Sequence, residues 1–202
     1  GTNQVLAPLV INRGTAEVNG VLSAPDIVLT NAAVLTHTAA TATNEYRLGL
    51  VVSNTLSISS NSAIDATGKG YLPGRTWPNT TTNASVTGQG RGGSYGGLGG
   101  RSQVSYIVNP VYGDFRNPNE VGSGGGIGPG GGLVRITADE LVLAGAIRAN
   151  GADGSDGQGS GGGVRIEARS LTGSGQVEAR GGHGNSNIRV GGGGGRVAVY
   201  YE

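Results

Sequence analysis

Apolar and polar residues alternate in short bursts along this chain, as at Val134/Ile136, Leu141/Leu143 and Ile147/Ala149. Alternation with period two over roughly four to six residues turns one face of an extended strand toward a core. No stretch sustains the helical period, and abundant glycine and β-branched residues disfavour a helix. The bursts also recur. The block from Leu133 to Gly151 aligns with the block from Gly163 to Gly181, so Arg135 falls on Arg165, Leu141 on Leu171 and Ile147 on Val177. All three pairs share one offset, within the range of solenoid repeats. A third copy opens at Arg196-Val-Ala-Val-Tyr-Tyr. Toward the N-terminus, Ile64 takes the place of Ile147, and Val34 that of Ile64. Positions 34, 64, 147 and 177 thus keep phase, interrupted by one long insertion between 64 and 147.

A β unit this small cannot bury its own apolar face, but stacked units can, each row of Val, Ile or Leu continuing into the next coil while the backbones pair between coils. The pattern predicts an all-β chain: a parallel β-solenoid (β-helix) with ~30-residue repeats, glycine-rich corners and one long inserted loop region. Residues 1–50 read as an N-terminal β segment for assembly or capping. Residues 51–202 read as the glycine-rich solenoid, with the insertion at about 71–132. A collagen helix is excluded, because glycine does not fall at every third position. A β-sandwich with glycine hairpins is the competing architecture, and the fixed phase of the repeat disfavours it.

Composition sharpens this picture. Glycine takes 42 of 202 positions, gathered in runs such as those at 88–100, 122–132, 157–163 and 191–195. Such runs serve either as flexible linkers or as closely packed extended segments and corners. Their place just before each Val-Arg-Ile-like strand favours packing. None is followed by Lys and Ser/Thr at phosphate-loop spacing. With 14 basic and 13 acidic residues, no electrostatic argument favours nucleic acid or an anionic membrane. No apolar run approaches the ~18 residues of a membrane span. Absent cysteine removes disulfide and thiolate chemistry. The start at Gly1, without Met or an export signal, is expected of a processed product or of a segment cut from a longer precursor.

Four stretches carry a resemblance: Ile64-Asp-Ala-Thr-Gly-Lys-Gly-Tyr, Gly92-Gly-Ser-Tyr-Gly-Gly-Leu-Gly-Gly, Gly132-Leu-Val-Arg-Ile, and Gly191 through Arg196-Val-Ala-Val-Tyr-Tyr. Over roughly residues 55–202 the chain resembles glycine-rich β-repeat segments of large bacterial extracellular and surface proteins. The resemblance implies export, with an extracellular or cell-surface location, and a β-repeat architecture. It carries over no catalytic residue. The first 50 residues depart from the pattern, being rich in Ala, Thr and Asn and lacking any glycine run.

The insertion concentrates the aromatics. Trp77, Tyr95, Tyr106, Tyr112 and Phe115, with Asp114 beside them, form the candidate glycan site: rings stack on sugar faces while polar groups take the hydroxyls, and long loops carry function disproportionately. The competing reading is that these rings cap or flank the solenoid. Asp153 and Asp156, in Asn150-Gly-Ala-Asp-Gly-Ser-Asp-Gly, form the candidate calcium turn, although the spacing matches no established calcium loop and a solvated turn is the plainer reading. No other cofactor is expected. Asp139 and Glu140 are strand neighbours that point to opposite faces, and His37 and His183 stand alone, so no acid pair, triad or metal cluster is legible and no enzyme is expected. The sequons at Asn79 and Asn83 arise easily in a Thr/Asn-rich loop and carry little weight.

A stacked parallel sheet has two open ends. The strand candidates there, Val5, Leu6, Leu9 and Val10 at one end and Val197, Val199, Tyr200 and Tyr201 at the other, lack polar caps. They are the expected assembly strands. The partners expected are further copies of the chain, forming a filament or surface layer, or neighbouring repeats of a longer chain, and possible glycans. The alternatives are an adhesin segment that binds carbohydrate or a receptor through the aromatic insertion, and a β-helix polysaccharide lyase or hydrolase.

Overall fold

A computed structural model describes residues 2–4, 7–81, 90–184 and 190–202. All regular structure among them is β: β1 Thr2–Gln4, β2 Leu9–Glu17, β3 Gly20–Ala24, β4 Ile27–Thr36, β5 Leu48–Ile58, β6 Ala63–Asp65, β7 Arg75–Thr76, β8 Thr80–Thr81, β9 Leu133–Leu143, β10 Ala146–Arg148, β11 Gly163–Thr172, β12 Gln176–Glu178 and β13 Arg196–Tyr200. Eleven strands form one sheet, parallel at every pairing, that curls into a nearly closed, barrel-like wall. The exception is the antiparallel pair β7–β8 inside the insertion.

The alternation seen in the sequence becomes rows of side chains across the ladder. Leu22, Leu50, Ile136, Ile166 and Val199 stand in one register row. Leu9, Ile27, Leu56, Leu141 and Leu171 form a second, and Ala16, Leu35, Ile64, Ile147 and Val177 a third. The central members of each row are buried in a single core that runs from Leu22 to Ala168. β5 crosses residue 50, where the composition changes, and pairs with β3 on one side and β9 on the other.

The expected alignments Arg135–Arg165, Leu141–Leu171, Ile147–Val177 and Ile64–Ile147 are register pairs. The expected place of Val34 is corrected by one position: Val34 pairs with Ala63, and Leu35 pairs with Ile64. Leu35 is fully buried, whereas Val34 is only half-buried. Ile27 pairs with Leu56 in the same phase, so the whole of β4 stands one position off the expected alignment; the positive-φ residues Asn31 and Ala32 (54° and 61°), near Arg13 and Gly14 (67° and 81°), accompany a separate register shift in the β2–β4 ladder. A one-position shift exchanges the two faces of a strand, so the larger Leu takes the inward position. The spacing of partners also varies. It is shortest at Leu9–Ile27, nearly the same at Ile27–Leu56 and Leu141–Leu171, and longer at Gly163–Arg196.

The glycine runs form the remaining wall. Segments 70–74, 90–100, 121–132, 157–163 and 190–195 lie against one another and are joined by sideways backbone hydrogen bonds. Gly70 N donates to Gly130 O (2.7 Å), Gly131 N to Ser160 O (2.9 Å), Gly161 N to Gly193 O (2.9 Å), Gly193 N to Gly93 O (2.9 Å) and Gly93 N to Gln158 O (2.9 Å). Segment 157–163 thereby bonds to three neighbours. At Gly131, Gly161 and Gly193, whose φ lies outside the left-handed region, an added Cβ would press into a neighbouring carbonyl far inside the 3.0 Å limit of real contacts. Glycine is required here for close approach of backbones. The last residues of three runs lead directly into β9, β11 and β13.

Candidate functional site

The insertion leaves the sheet after β6 and returns at β9, and its path is pinned by a buried polar hub. Asn109, 1% exposed, has its two Nδ2 hydrogens shared among Thr76 Oγ1 (3.0 Å), Ser94 O (2.9 Å), Pro110 O (3.0 Å) and Ser123 Oγ (3.1 Å), and its Oδ1 accepts from Ser94 N (2.9 Å). A buried amide satisfied on both ends fixes one arrangement of the segments it joins. Nothing in the sequence sets Asn109 apart from the other Asn residues of the loop.

Beside this hub the structure stacks three of the expected aromatics. Trp77 lies over Tyr112 at 6.3 Å between ring centroids, and Tyr95 meets Tyr112 at 4.8 Å. Tyr112 donates its hydroxyl to Val121 O (2.7 Å), Tyr95 donates to Glu120 Oε2 (3.1 Å), and Tyr71 donates to Glu45 Oε1 (3.0 Å). Burial, before any neighbouring charge, pushes all three phenols well above their ordinary value, so they stay protonated donors. Of the stacked rings only Trp77 is open to solvent, at 53%. Tyr106 lies under the Arg91 guanidinium (4.2 Å) and the exposed Phe115 under that of Arg116 (4.6 Å). Asp114 accepts from Arg116 N at 2.9 Å and shapes a turn. The candidate glycan residues thus divide: Trp77, Tyr95 and Tyr112 share one stack, with Tyr95 and Tyr112 turned inward, while Tyr106 and Phe115 pair with arginines.

The two aspartates of the 150–157 turn take different places. Asp153 is held by Arg180 through two bonds (2.7 and 2.9 Å) and by His183 N (2.7 Å). The Arg180 bonds, reinforced by the His183 amide, push its carboxyl down to about 2. Asp156 is 1% exposed, and its Oδ1 accepts from Gly157 N (2.8 Å) and Val190 N (3.3 Å). Among the described residues no group of three or more His, Asp or Glu side chains is placed to hold a metal ion. The acid pair separates too: Asp139 forms a two-bond pair with Arg169 (2.6 and 2.8 Å), and Glu140 accepts from Thr55 Oγ1 (3.2 Å). His37 is fully buried, its Nδ1 donating to Thr38 O (2.8 Å) and its Nε2 accepting from Leu133 N (3.2 Å). Burial lowers its pKa, and the ring serves as a neutral strut between β4 and β9.

Of the expected assembly strands, Val5 and Leu6 lie outside the described residues. Leu9 and Val199 pack on the core, while Val10 (58%), Val197 (44%), Tyr200 (44%) and Tyr201 (65%) are exposed. The Tyr200 hydroxyl donates to Arg116 O at 2.6 Å. One further cluster escaped the sequence reading, the outward arginines Arg47, Arg135 and Arg165 beside Glu167. Its one sequence signal was the alignment of Arg135 on Arg165. No family model, curated protein or solved structure matches the chain.

Proposed function

We propose that the chain is a non-enzymatic structural β-solenoid, built from coils of about 30 residues, that acts outside the cell or on its surface. It assembles with copies of itself, or with neighbouring repeats of a longer chain, through the open edges of its sheet. The observation that carries this reading is the state of those edges. Among the described residues β13 pairs only with β11 and β12 only with β10, while β2 pairs only with β4 and β1 only with β3. Unpaired strand edges are templates for another chain. Because the sheet is parallel throughout, one copy laid on the next continues the ladder in the same sense, a heterologous contact that does not close on itself.

Electron microscopy of the untagged protein at neutral pH, with and without calcium, tests the proposal. Regular filaments or sheets are expected. Removing residues 196–202 is expected to abolish them while circular dichroism still reports a folded β protein. Dispersed single particles at high concentration, or filaments from the truncated chain, would overturn it. A second reading, a glycan-binding surface on the insertion, draws support from Trp77, a solvent-open ring backed by Tyr112.

A further inference from the structure

On the outer face of β5, β9 and β11 the parallel register places Gly49, Arg135 and Arg165 side by side. Neighbouring strands stand ~4.8 Å apart, so two guanidinium groups arise from adjacent rungs. Arg47, just before β5 and on the same face as Gly49, brings a third cation. Between them lies an open groove of about 390 Å³ that Gly49 and Val21 also line, the Val21 side chain packing against Gly49. Asn119, from the insertion, forms part of its wall.

The charges in this groove are not balanced. Arg135 donates to Asn117 Oδ1 (3.0 Å), Pro118 O (2.9 Å) and Asn119 Oδ1 (3.2 Å), all neutral acceptors that fix its direction and leave its charge intact. Arg165 is paired with Glu167. Arg47 is exposed, and its side chain has no ion pair or hydrogen bond among the described residues. Three cations therefore line the groove with one carboxylate, while Glu120, outside the lining, also acts on Arg135. Partial burial, then the like charges of Arg165 and Arg47, disfavour the charged form of Arg135, with Glu167 and Glu120 opposing. An arginine fork suits a carboxylate through two parallel hydrogen bonds.

The other lining groups narrow the ligand. Val21 and Val51 offer apolar surface, while Thr137, Asn119 and Glu167 offer hydroxyl, amide and carboxylate partners. A sugar ring presents the same combination, an apolar C–H face and a polar hydroxyl edge. A peptide adding itself as a strand would find no free backbone, because β5, β9 and β11 are paired on both sides. We infer that this groove binds a carboxylated saccharide, its carboxylate held by Arg47 and Arg135 and its hydroxyls by Glu167 and Asn119.

The test is calorimetric titration of the full chain at low salt with a galacturonate trisaccharide, its methyl ester and sodium sulfate. Saturable binding of the free acid is expected, at least tenfold weaker for the ester and for sulfate. Arg47→Ala, which removes an unpaired exposed side chain, should weaken the free acid at least fivefold, whereas Arg101→Ala, on the insertion, should leave it unchanged. No binding at millimolar ligand, equal binding of the ester, equal binding of sulfate, or an Arg47→Ala protein with native affinity would each overturn the inference.

Discussion

The glycine wall can be probed with one methyl group. Gly162 donates to Ala149 O (2.6 Å), accepts from Arg196 N (3.0 Å) and is followed by Gly163, which donates to Gly132 O (3.0 Å). A Cβ on Gly162 would lie against Gly132 O, with Gly131 O close behind. Restoring ordinary contact requires the segment to move by more than about an ångström, which breaks or stretches these bonds. A buried backbone group left unpaired costs about 1–3 kcal/mol. Losing two of the three bonds costs about 4 kcal/mol, offset by about 0.5–1 kcal/mol from a stiffer unfolded chain. Gly162→Ala is therefore expected to destabilise by about 3 kcal/mol, or about 1.5 M urea in the unfolding midpoint at a slope near 2 kcal/mol per molar. Gly194 is the internal control: nothing lies within 4 Å of its added Cβ, and its φ is outside the left-handed region. Gly194→Ala should gain about 0.5 kcal/mol from the same unfolded-chain effect. Urea titration followed by circular dichroism reads both. Equal midpoints for the two variants would refute the account of the glycine runs as packed backbone.

Two further outcomes follow from the side chains. His37 is buried and neutral, with its pKa lowered from 6.5 mainly by desolvation; the unfolded chain takes up the proton first as pH falls, so stability is complete above about pH 6.5 and declines below it, by at most about 1.4 kcal/mol per pH unit. Urea midpoints measured from pH 7.5 to 5.5, above the carboxylate range, should fall accordingly, and a flat profile would contradict the burial of a neutral ring. For the insertion, Trp77→Ala removes the one solvent-open ring of the aromatic stack. On a glycan array the variant should lose retained glycans at least tenfold with its unfolding free energy within about 0.5 kcal/mol of the parent; unchanged retention would remove the insertion as a glycan site.

Much of the core could be read from the sequence because it consists of side chains repeating in register. Ile147 under Ile64 and Leu171 beside Leu141 follow from period two and from the alignment of the similar blocks in the sequence. Val34 shows where this reading stops: alignment by residue type cannot sense that β4 stands one position closer to its partners than β9 does to β11, which brings Leu35 instead of Val34 onto Ile64. The short first spacing, from Leu9 to Ile27, was hidden for a related reason, since a corner can lose residues without altering the rows it joins. The glycine wall was legible as position but not as partnership, because glycine carries no side-chain pattern to say which run lies against which. The arginine groove lies between these cases. Its members on β9 and β11 repeat visibly, whereas Arg47 joins them only through a pairing that spans the insertion.

That pairing also bears on how the chain reaches its native state. Leu141 and Leu171 are separated by a single repeat, whereas Leu56 and its neighbour Leu141 have the whole insertion between them. Closing the longer loop costs only about 0.9 kcal/mol more by the logarithmic dependence on length, but a contact so distant in sequence is slow to form. The C-terminal rungs can close first and offer β9 as a finished template. The N-terminal rungs, joined to one another by short connections, then dock on it as a second unit. The β5–β9 seam is thus expected to form late, and the groove that straddles it exists only once both halves have met.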